Sequence, residues 1–482
     1  MEDEKAYDVI IAGAGIAGAI AATAAAKSGV KTLLLDRNSS EEVGKKTNWG
    51  WVCGDAVAKS HVDYLAEELD IRLAEPELDH KVDGVYVLSP DLESKLMFEG
   101  EGFTLDRPKL AKKLLSEAQH AGAEYRPGYE VEGPIISSER IEGVFGKNDK
   151  KQEFRIKGKI VIDALGMAST LRRRLSNNKY IEREISTDDI EPTGRYILTF
   201  EQAETDTNFY DPKNALIHLN QELAPGGYGW VFPKSNNRVN IGVGIGQKSL
   251  EKHNKTLGRS DTLHKLIDDY IAYNKVIKNT RIDTSDGNGK GYWSISVRRH
   301  QHSLVYANYM GAGDSMSMAN PISGGGIGPA MIGGVLAGKI AGEAIAANDI
   351  NMNFLWHYNT QFNELYGRKS AALEIFRVYM QSLNNDRINY GIRHFITPDE
   401  AKELAYSGIV PEVSILGAAQ KLISGLSNVN AFKDFIYIVR KMKRVTELYD
   451  KYPKEPSGFD AWSNAIYLEI EEVKKRFKPN SA

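Results

Sequence analysis

Residues 7–18 read Tyr7-Asp8-Val9-Ile10-Ile11-Ala12-Gly13-Ala14-Gly15-Ile16-Ala17-Gly18, and they decide the fold. A short apolar run stops at glycine and passes into an alanine-rich stretch ending at Lys27, the pattern of strand, tight turn and helix. Residues 30–35 supply a second apolar strand that ends at Asp36, about 20 residues after the glycines, so a βαβ unit with parallel strands and an α/β fold class are predicted. The glycines have separate tasks: Gly13 permits the turn, Gly15 lets backbone approach a pyrophosphate, and Gly18 lets helix meet strand. The free N–H groups and positive end of the helix suit phosphate, and Asp36 can accept from ribose hydroxyls. Ala14, Ile16 and Ala17 complete this adenine-dinucleotide turn, and Arg37 is placed in the same site.

Two other glycine clusters fail the same test. Gly242-Val243-Gly244-Ile245-Gly246 lies in alternating strand sequence, and Gly287-Asn288-Gly289-Lys290-Gly291 is followed by Tyr292 and Trp293 instead of a helix. With one dinucleotide turn, the cofactor stays bound while its reductant docks transiently, which favours FAD over NAD. The wider composition narrows the classes further. A length of 482 residues predicts about two to four domains, and 42% hydrophobic with 26% charged residues excludes a disordered or collagenous chain. Sixty-one basic residues against sixty-four acidic ones, with no long basic run, argue against nucleic acid as a partner. The single cysteine, Cys53, precludes an intrachain disulfide and the ten histidines lack zinc spacing, so a reducing interior and no metal site are expected. Met1-Glu2-Asp3-Glu4 is acidic where a signal peptide is basic, which points to the cytoplasm. Residues 328–346 are interrupted by Lys339 and Glu343 and are rich in glycine and alanine; Gly334, Gly338 and Gly342 recur every four residues, as in a soluble helix lying close on a neighbour.

Along the chain, residues 81–103 alternate as a strand pair, and Asp106 precedes a helical pattern through Leu110, Leu114, Leu115 and Ala118. Residues 157–165 read as a buried strand and residues 182–297 as a mainly antiparallel sheet. Beyond residue 349 the pattern is helical, with Leu373, Phe376, Met380 and Leu383, then Val439, Met442, Val445 and Leu448, at three- and four-residue spacing. The division expected is a discontinuous dinucleotide-binding domain (residues 1–74, 104–178 and 292–348), an antiparallel-sheet substrate domain (75–103 and 179–291) and a helical domain (349–482) whose last five residues fray.

Residues 1–58, Gly313-Asp314-Ser315 and the glycines that follow resemble the flavoproteins that include geranylgeranyl reductases, para-hydroxybenzoate-hydroxylase-type monooxygenases and lycopene cyclases. Cys53-Gly54-Asp55-Ala56-Val57, Tyr228-Gly229-Trp230-Val231-Phe232-Pro233 and Asn320-Pro321-Ile322-Ser323-Gly324-Gly325-Gly326 narrow the resemblance to the archaeal geranylgeranyl reductases, and it continues through Asn385-Asp386-Arg387-Ile388-Asn389-Tyr390-Gly391. The resemblance implies FAD held between a Rossmann-like domain and an antiparallel substrate sheet, and hydride delivery to isoprenoid double bonds of archaeal membrane lipid precursors. It places Cys53, Gly54, Asp55 and Ala56 beside the flavin, brings Arg107 to the cofactor, and sets Gly313 and Asp314 toward the ribityl chain or nearby phosphate. Gly325, Gly326 and Ile327 then start a helix whose N–H groups face the flavin pyrimidine edge and stabilise the anionic reduced form. Asp163-Ala164-Leu165-Gly166 stands where the monooxygenases carry an Asp-Gly pair; Gly166 is kept as a cofactor residue, but the departure weakens hydroxylation.

Tyr228, Trp230 and Phe232 alternate, so on a strand they share a face, while a second strand carries Val239, Ile241, Val243 and Ile245 on one face and Asn240, Gly242 and Gly244 on the other. The rings read either as sheet core or as the wall of an apolar tunnel, and the family motif favours the wall. With Cys53 they form the expected catalytic end, where a tertiary cation would need an aromatic neighbour. Cys53 is either an inert buried thiol or a proton or redox group. A cyclase, a monooxygenase and a non-enzymatic prenyl-lipid flavoprotein stay open as alternatives. His300 and His302 lack a third metal ligand, while Arg298 and Arg299 could attract a phosphate. The expected partners are an isoprenoid lipid, a transient donor (NADPH, ferredoxin or reduced deazaflavin) and the inner face of the cell membrane. Contact there would be peripheral, through Lys441, Lys443 and Arg444 near Tyr437, Ile438 and Val439.

Overall fold

Strand Tyr7–Ala12 lies between Thr32–Asp36 and Glu153–Asp163, parallel to both. Residues Val9 to Ala12 are completely buried, which is why the stretch is continuously apolar rather than alternating: both faces of a parallel sheet are covered. These observations come from a computed structural model that describes residues 6–39, 53–138, 140–285, 289–395, 400 and 429–477. The expectations for residues 1–4 and 478–482, for Gly287 and Asn288, and for part of the helical domain lie outside the described residues.

The first sheet runs Val305–Tyr306, Tyr309–Gly311, Glu153–Asp163, Tyr7–Ala12, Thr32–Asp36, Glu124–Pro127. Tyr129–Ser137 and Arg140–Asn148 extend it as an antiparallel meander onto Glu153–Asp163. The sequence reading missed this meander because register shifts between Val131 and Gly133 and between Ile135 and Ile136 break the two-residue alternation. Helices Ile16–Lys27 and Ile327–Ala346 pack together with almost nothing between their backbones. A Cβ on Gly334 would stand 2.5 Å from the Ala17 carbonyl oxygen and one on Gly338 2.3 Å from that of Ala21. A Cβ on Gly342 would meet Ser28, so the contacts advance together along both helices, which therefore run parallel with their N-termini at one end.

The second sheet runs Ile277–Ile282, Ile190–Gln202, Arg238–Gly244, Tyr228–Lys234, Asn214–His218, Leu78–Leu88, Lys95–Leu105, Ala56–Ala58, with Lys290–Ser296 also paired to Ile190–Gln202. Its pairs are antiparallel except Asn214–His218 with Leu78–Leu88. Helices Gln247–Leu257 and Leu263–Tyr273 were not expected within this stretch. Their buried stripes are short, Leu250 alone in one and Leu266, Ile267 and Tyr270 in the other, and these cover Val239, Ile241 and Val243.

Helices Arg368–Met380, Asn385–His394, Val429–Tyr449 and Phe459–Phe477 enclose a separate apolar cluster around Ile375, Ile438, Val445 and Ile466. Two groups of charges expected at the surface find partners here. Arg298 makes a bidentate pair with Glu182 (2.5 and 2.7 Å) and Arg299 pairs with fully buried Glu374 at 2.8 Å, so neither arginine is held out for a phosphate. Ile438 and Val439 point into the helical cluster, while Lys441 pairs with Glu469 and Glu472, both at 2.6 Å, and Arg444 with Glu469 at 3.4 Å. Lys441 and Arg444 thus join two helices, and the Ile438 and Val439 side chains are spent on the interior. Among the described residues Ile327–Ala346 is the one helix long and apolar enough to cross a membrane, and 78% of its apolar window is buried within the protein. No histidine, cysteine or acidic cluster suited to a metal occurs among the described residues.

The parallel helix contact makes a direct prediction. Gly338→Ala places a methyl group against backbone on the facing helix, so it should destabilise the fold by about 1–3 kcal/mol, read as a lowered calorimetric melting temperature. A change within about 0.5 kcal/mol would mean that the helices separate freely.

Candidate active site

A cavity of about 560 Å³ lies where the parallel sheet's strands end against the second sheet, within the size range of cofactor sites. Its wall includes Gly13, Ala14, Gly15, Ile16, Ala17, Asp36, Arg37, Cys53, Gly54, Asp55, Ala56, Arg107, Gly166, Gly313, Asp314, Gly325, Gly326 and Ile327, together with Tyr228, Trp230 and Phe232. Chain segments far apart in sequence therefore meet at one space. Gly18 is the exception among the residues expected there: a Cβ on it would lie 1.8 Å from the Gly13 carbonyl oxygen, so it serves the packing of turn on helix and does not reach the cavity wall.

The turn is built from the backbone outward. Gly13 adopts φ +99°, and a Cβ there would stand 2.4 Å from the Ala164 carbonyl oxygen. Asp36 accepts from the Ala14 N–H at 2.7 Å and from the Asn38 N–H at 2.8 Å, so it also fastens the turn in addition to its expected place beside ribose. Burial pushes its carboxyl above the ordinary range, against those two donors. Gly15 differs from its neighbours, since nothing lies within 4 Å of a Cβ built on it. It is the N-cap of helix Ile16–Lys27, and Gly326 is the N-cap of Ile327–Ala346; neither cap uses a side chain. Two helix ends with unspent N–H groups thus open on the same cavity, and both favour negative charge.

At the joint between the sheets, Asp55 is buried at φ +63°, with Arg107 at 3.9 Å and Lys234 at 4.0 Å. Asn240 donates through Nδ2 to Asp55 at 2.9 Å and to the Cys53 carbonyl at 2.8 Å, and accepts from Trp230 Nε1 at 2.9 Å. Lys234 donates to the Leu105 carbonyl at 2.8 Å and pairs with Asp79 at 3.1 Å. The Cys53 thiol accepts from the Asp55 N–H at 3.3 Å. Burial raises its pKa, the Arg107 charge opposes that and Asp55 adds to it, so Cys53 stays a neutral thiol at neutral pH. Asp314 is likewise pushed up by burial, with Arg107 opposing.

The aromatic strand closes the far side. Ring centroids of Tyr228 and Trp230 are 6.0 Å apart and those of Trp230 and Phe232 6.3 Å. Gly242 faces Trp230 across the hairpin, where a Cβ would come within 2.3 Å of the indole, and Gly54 leaves room for Phe232. The Tyr228 hydroxyl donates to the Ser323 carbonyl, tying this strand to the glycine loop ahead of Ile327–Ala346. Val85, Ile217, Trp293 and Ile295 complete an apolar wall.

Several polar residues here escaped the sequence reading: Lys234, Asn240, Glu191 and Arg195. Asn240 had been placed on the glycine face of its strand, but the bonding that makes it a connector was invisible. Glu191, Thr193 and Arg195 recur at two-residue spacing in strand Ile190–Gln202, and that alternation was the available signal.

The donor set fits FAD. Two uncapped helix N-termini suit pyrophosphate and flavin carbonyls, Asp36 and Arg37 would meet the adenosine end, and the carboxyl groups of Asp55 and Asp314 suit a polyol. Gly15→Val should fill only open space, leaving the melting temperature of the flavin-free protein unchanged while FAD content, read as the flavin-to-protein absorbance ratio, falls close to zero. Gly18→Val, by contrast, should fail to fold. Full flavin content in Gly15→Val would remove the phosphates from this turn.

Comparison with known proteins agrees with this geometry. The family model for the geranylgeranyl reductase catalytic domain matches residues 189–285, and that for FAD dependent oxidoreductases matches residues 8–173. A digeranylgeranylglycerophospholipid reductase of Sulfolobus acidocaldarius is 31% identical over 478 residues, covering 98% of this chain and 99% of the relative. Another from Methanopyrus kandleri is 31% identical over 359 residues, covering 74% and 86%. Among solved structures, a geranylgeranyl bacteriochlorophyll reductase-like protein from Thermoplasma acidophilum superposes with a TM-score of 0.70 at 22% identity, over 90% of this chain and 99% of the other. A myxobacterial chondrochloren halogenase reaches 0.63 at 16% identity, over 92% and 98%; likenesses at these identities speak for the shared fold alone. Identity sustained over nearly the whole of both chains, on a fold whose glycine turn and aromatic strand meet at one cavity, makes this chain a member of the digeranylgeranylglycerophospholipid reductase family.

Proposed function

We propose that the protein saturates carbon–carbon double bonds in the geranylgeranyl chains of archaeal membrane lipid precursors, as an FAD-dependent oxidoreductase acting on CH–CH groups. The observation that carries this reading is the cavity itself: an anion-binding end built from two helix N-termini is continuous with an aromatic wall of Tyr228, Trp230 and Phe232. An isoprenoid offers only apolar surface, and such a wall removes it from water at about 25 cal/mol per Å².

Bound reduced FAD supplies the hydride. This chain's residues do the rest. The turn at Gly13 to Ala17 would hold the pyrophosphate, Asp36 and Arg37 the adenosine end, and Arg107, Asp55 and Asp314 the central portion. Tyr228 and Trp230 stack along the alkene, exclude water, and present π faces to cationic character on the more substituted carbon. Asn240 holds the Trp230 indole against the Cys53 loop, which keeps the wall in register with the cofactor side. Cys53, a half-buried neutral thiol, packs beside the reacting region without thiolate chemistry.

The reductant in this reading is a transient visitor, whether NADPH, ferredoxin or reduced deazaflavin. The protein works in the cytoplasm, resting peripherally on the inner face of the membrane. The lipid nature of the substrate supports that placement, as does the burial of the one described helix apolar enough to span a bilayer.

Two experiments test these statements. Anaerobic incubation of reduced enzyme with geranylgeranyl lipid should raise product mass by about 2 for each bond, whereas about 16 would mean oxygen insertion, and a new ring at unchanged mass would mean cyclisation. Unaltered lipid beside unoxidised flavin would reduce the protein to a binding module. Separately, the enzyme should float with anionic liposomes at low salt; sedimentation free of them under every salt condition would end the membrane assignment.

A further inference from the structure

We infer that Glu191 is the proton donor to the alkene, a further catalytic residue within the same cavity. The inference rests on the reductase reading above. Glu191 lies in strand Ile190–Gln202, is 8% exposed, and lines the cavity on the same strand face as Thr193. Its Oε2 is 3.9 Å from where a Cβ on Gly244 would sit, and Gly244 is the register partner of Tyr228. The carboxyl therefore stands at the aromatic wall, where the alkene is held.

Its orientation is dictated from behind. Asp189 pairs with Arg377 at 2.7 Å, Arg377 donates to Gln381 Oε1 at 3.0 Å, and Gln381 Nε2 donates both to the Gly226 carbonyl at 3.1 Å and to Glu191 Oε1 at 2.6 Å. With its carbonyl engaged by Arg377, the amide can present only N–H to Glu191. Oε1 is thus an acceptor, and the carboxyl proton belongs on Oε2, toward the cavity. The groups facing this carboxyl are Gln381 and Arg377 from the region of helix Arg368–Met380, Tyr228 from the aromatic strand, and Thr193 from its own strand. Burial outweighs the Arg377 charge and the Gln381 hydrogen bond, raising the carboxyl from its ordinary 4.5 to about 7. The group is protonated below that value and loses its proton as pH rises through it, and an apolar chain in the cavity favours the neutral form further.

The step balances. The Glu191 O–H bond breaks and its proton takes the alkene π pair to form one C–H bond. Hydride from reduced flavin, carrying two electrons, forms the other at the more substituted carbon. The lipid gains two hydrogens, FAD is left oxidised, and the Glu191 carboxylate recovers its proton from water after product leaves.

The test is Glu191→Gln in the holoenzyme, which keeps the acceptor for Gln381 and removes only the proton. Anaerobic single-turnover oxidation of the reduced flavin by geranylgeranyl lipid should slow by about 100- to 1,000-fold. Flavin content and lipid affinity should be unchanged, and Glu191→Asp should restore part of the rate. The wild-type rate should fall above about pH 7 while that of Glu191→Gln stays flat. Independently of turnover, infrared titration of the oxidised holoenzyme should show a carboxylic acid band that disappears near pH 7 and is missing from Glu191→Gln. A variant within about threefold of wild type, or a band already ionised below about pH 6, overturns the assignment. If Glu191→Gln does not fold, the wild-type band and Glu191→Asp decide. Wild-type flavin left unoxidised by the lipid would instead sink the reductase reading, whereas the band still reports on Glu191.

Discussion

Two parallel helices in backbone contact are the constraint on which the rest of the molecule depends. Ile16–Lys27 and Ile327–Ala346 lie so close that only glycine fits at Gly334 and Gly338 against the Ala17 and Ala21 carbonyls. Parallel packing sets two positive helix ends side by side, each equivalent to about half an elementary charge, an arrangement that repels unless an anion lies between them. Neither end spends its N–H groups on a side-chain cap. The fold thus keeps a concentrated set of donors at one point. A polyanionic dinucleotide offsets the repulsion, so stability of the helix pair and affinity for the cofactor are coupled. A larger residue along the glycine stripe would splay the helices and weaken both.

The second sheet is aligned to that point by a few buried polar groups. Asn240 touches Trp230, the Cys53 carbonyl and Asp55 at once, and Lys234 reaches Asp79, Asp55 and the Leu105 carbonyl. Burying such charges costs free energy that their pairing only partly offsets, and removing one partner from a buried pair typically costs about 3–5 kcal/mol. What they add is position: hydrogen bonds are directional where apolar contact is not. The aromatic wall is therefore held at a set distance from the glycine turn at Gly13 to Ala17, as a reaction needing near contact between two ligands requires.

The dinucleotide turn was legible in the sequence because its parts are neighbours in the chain: strand, three glycines, helix and terminal acid each leave a local mark. The aromatic wall was legible for a similar reason, since a period of two over five residues states which side chains share a face. The small-residue spacing at Gly334, Gly338 and Gly342 announced a close helix contact without naming the partner. Groups whose role is given by residues far away stayed hidden. Glu182 and Glu374 neutralise Arg298 and Arg299 only once separate segments converge, so those two arginines alone resembled an anion site. Lys441 and Arg444 likewise acquire acidic partners only once Glu469 and Glu472 are brought opposite them. A charge in the sequence has a sign but no partner, and the partner decides whether it is a ligand or a strut.

The two ends of the cavity place opposite demands on electrostatics, and the chain separates them spatially. At the phosphate end, donors and Arg107 must stabilise negative charge. At the lipid end the transient charge is positive, because an unactivated alkene takes a hydride only as it gains a proton. A permanent carboxylate there would be expensive in the empty apolar wall, while a permanently neutral wall would leave the cation with π faces alone. A carboxyl that is neutral at rest and anionic once its proton has moved meets both conditions, since the negative charge arises when and where the positive one does. Glu191 is placed for this at the wall, with Gln381 turned to donate to one oxygen and Arg377 one residue further back. Cys53, half-buried, lacks such support: its thiolate is disfavoured by desolvation and by Asp55, and the pairing of Arg107 with that same Asp55 limits what the guanidinium contributes. A charge that follows the proton is therefore available from the carboxyl on the substrate sheet, whereas Cys53 is held as a neutral thiol at the cavity wall.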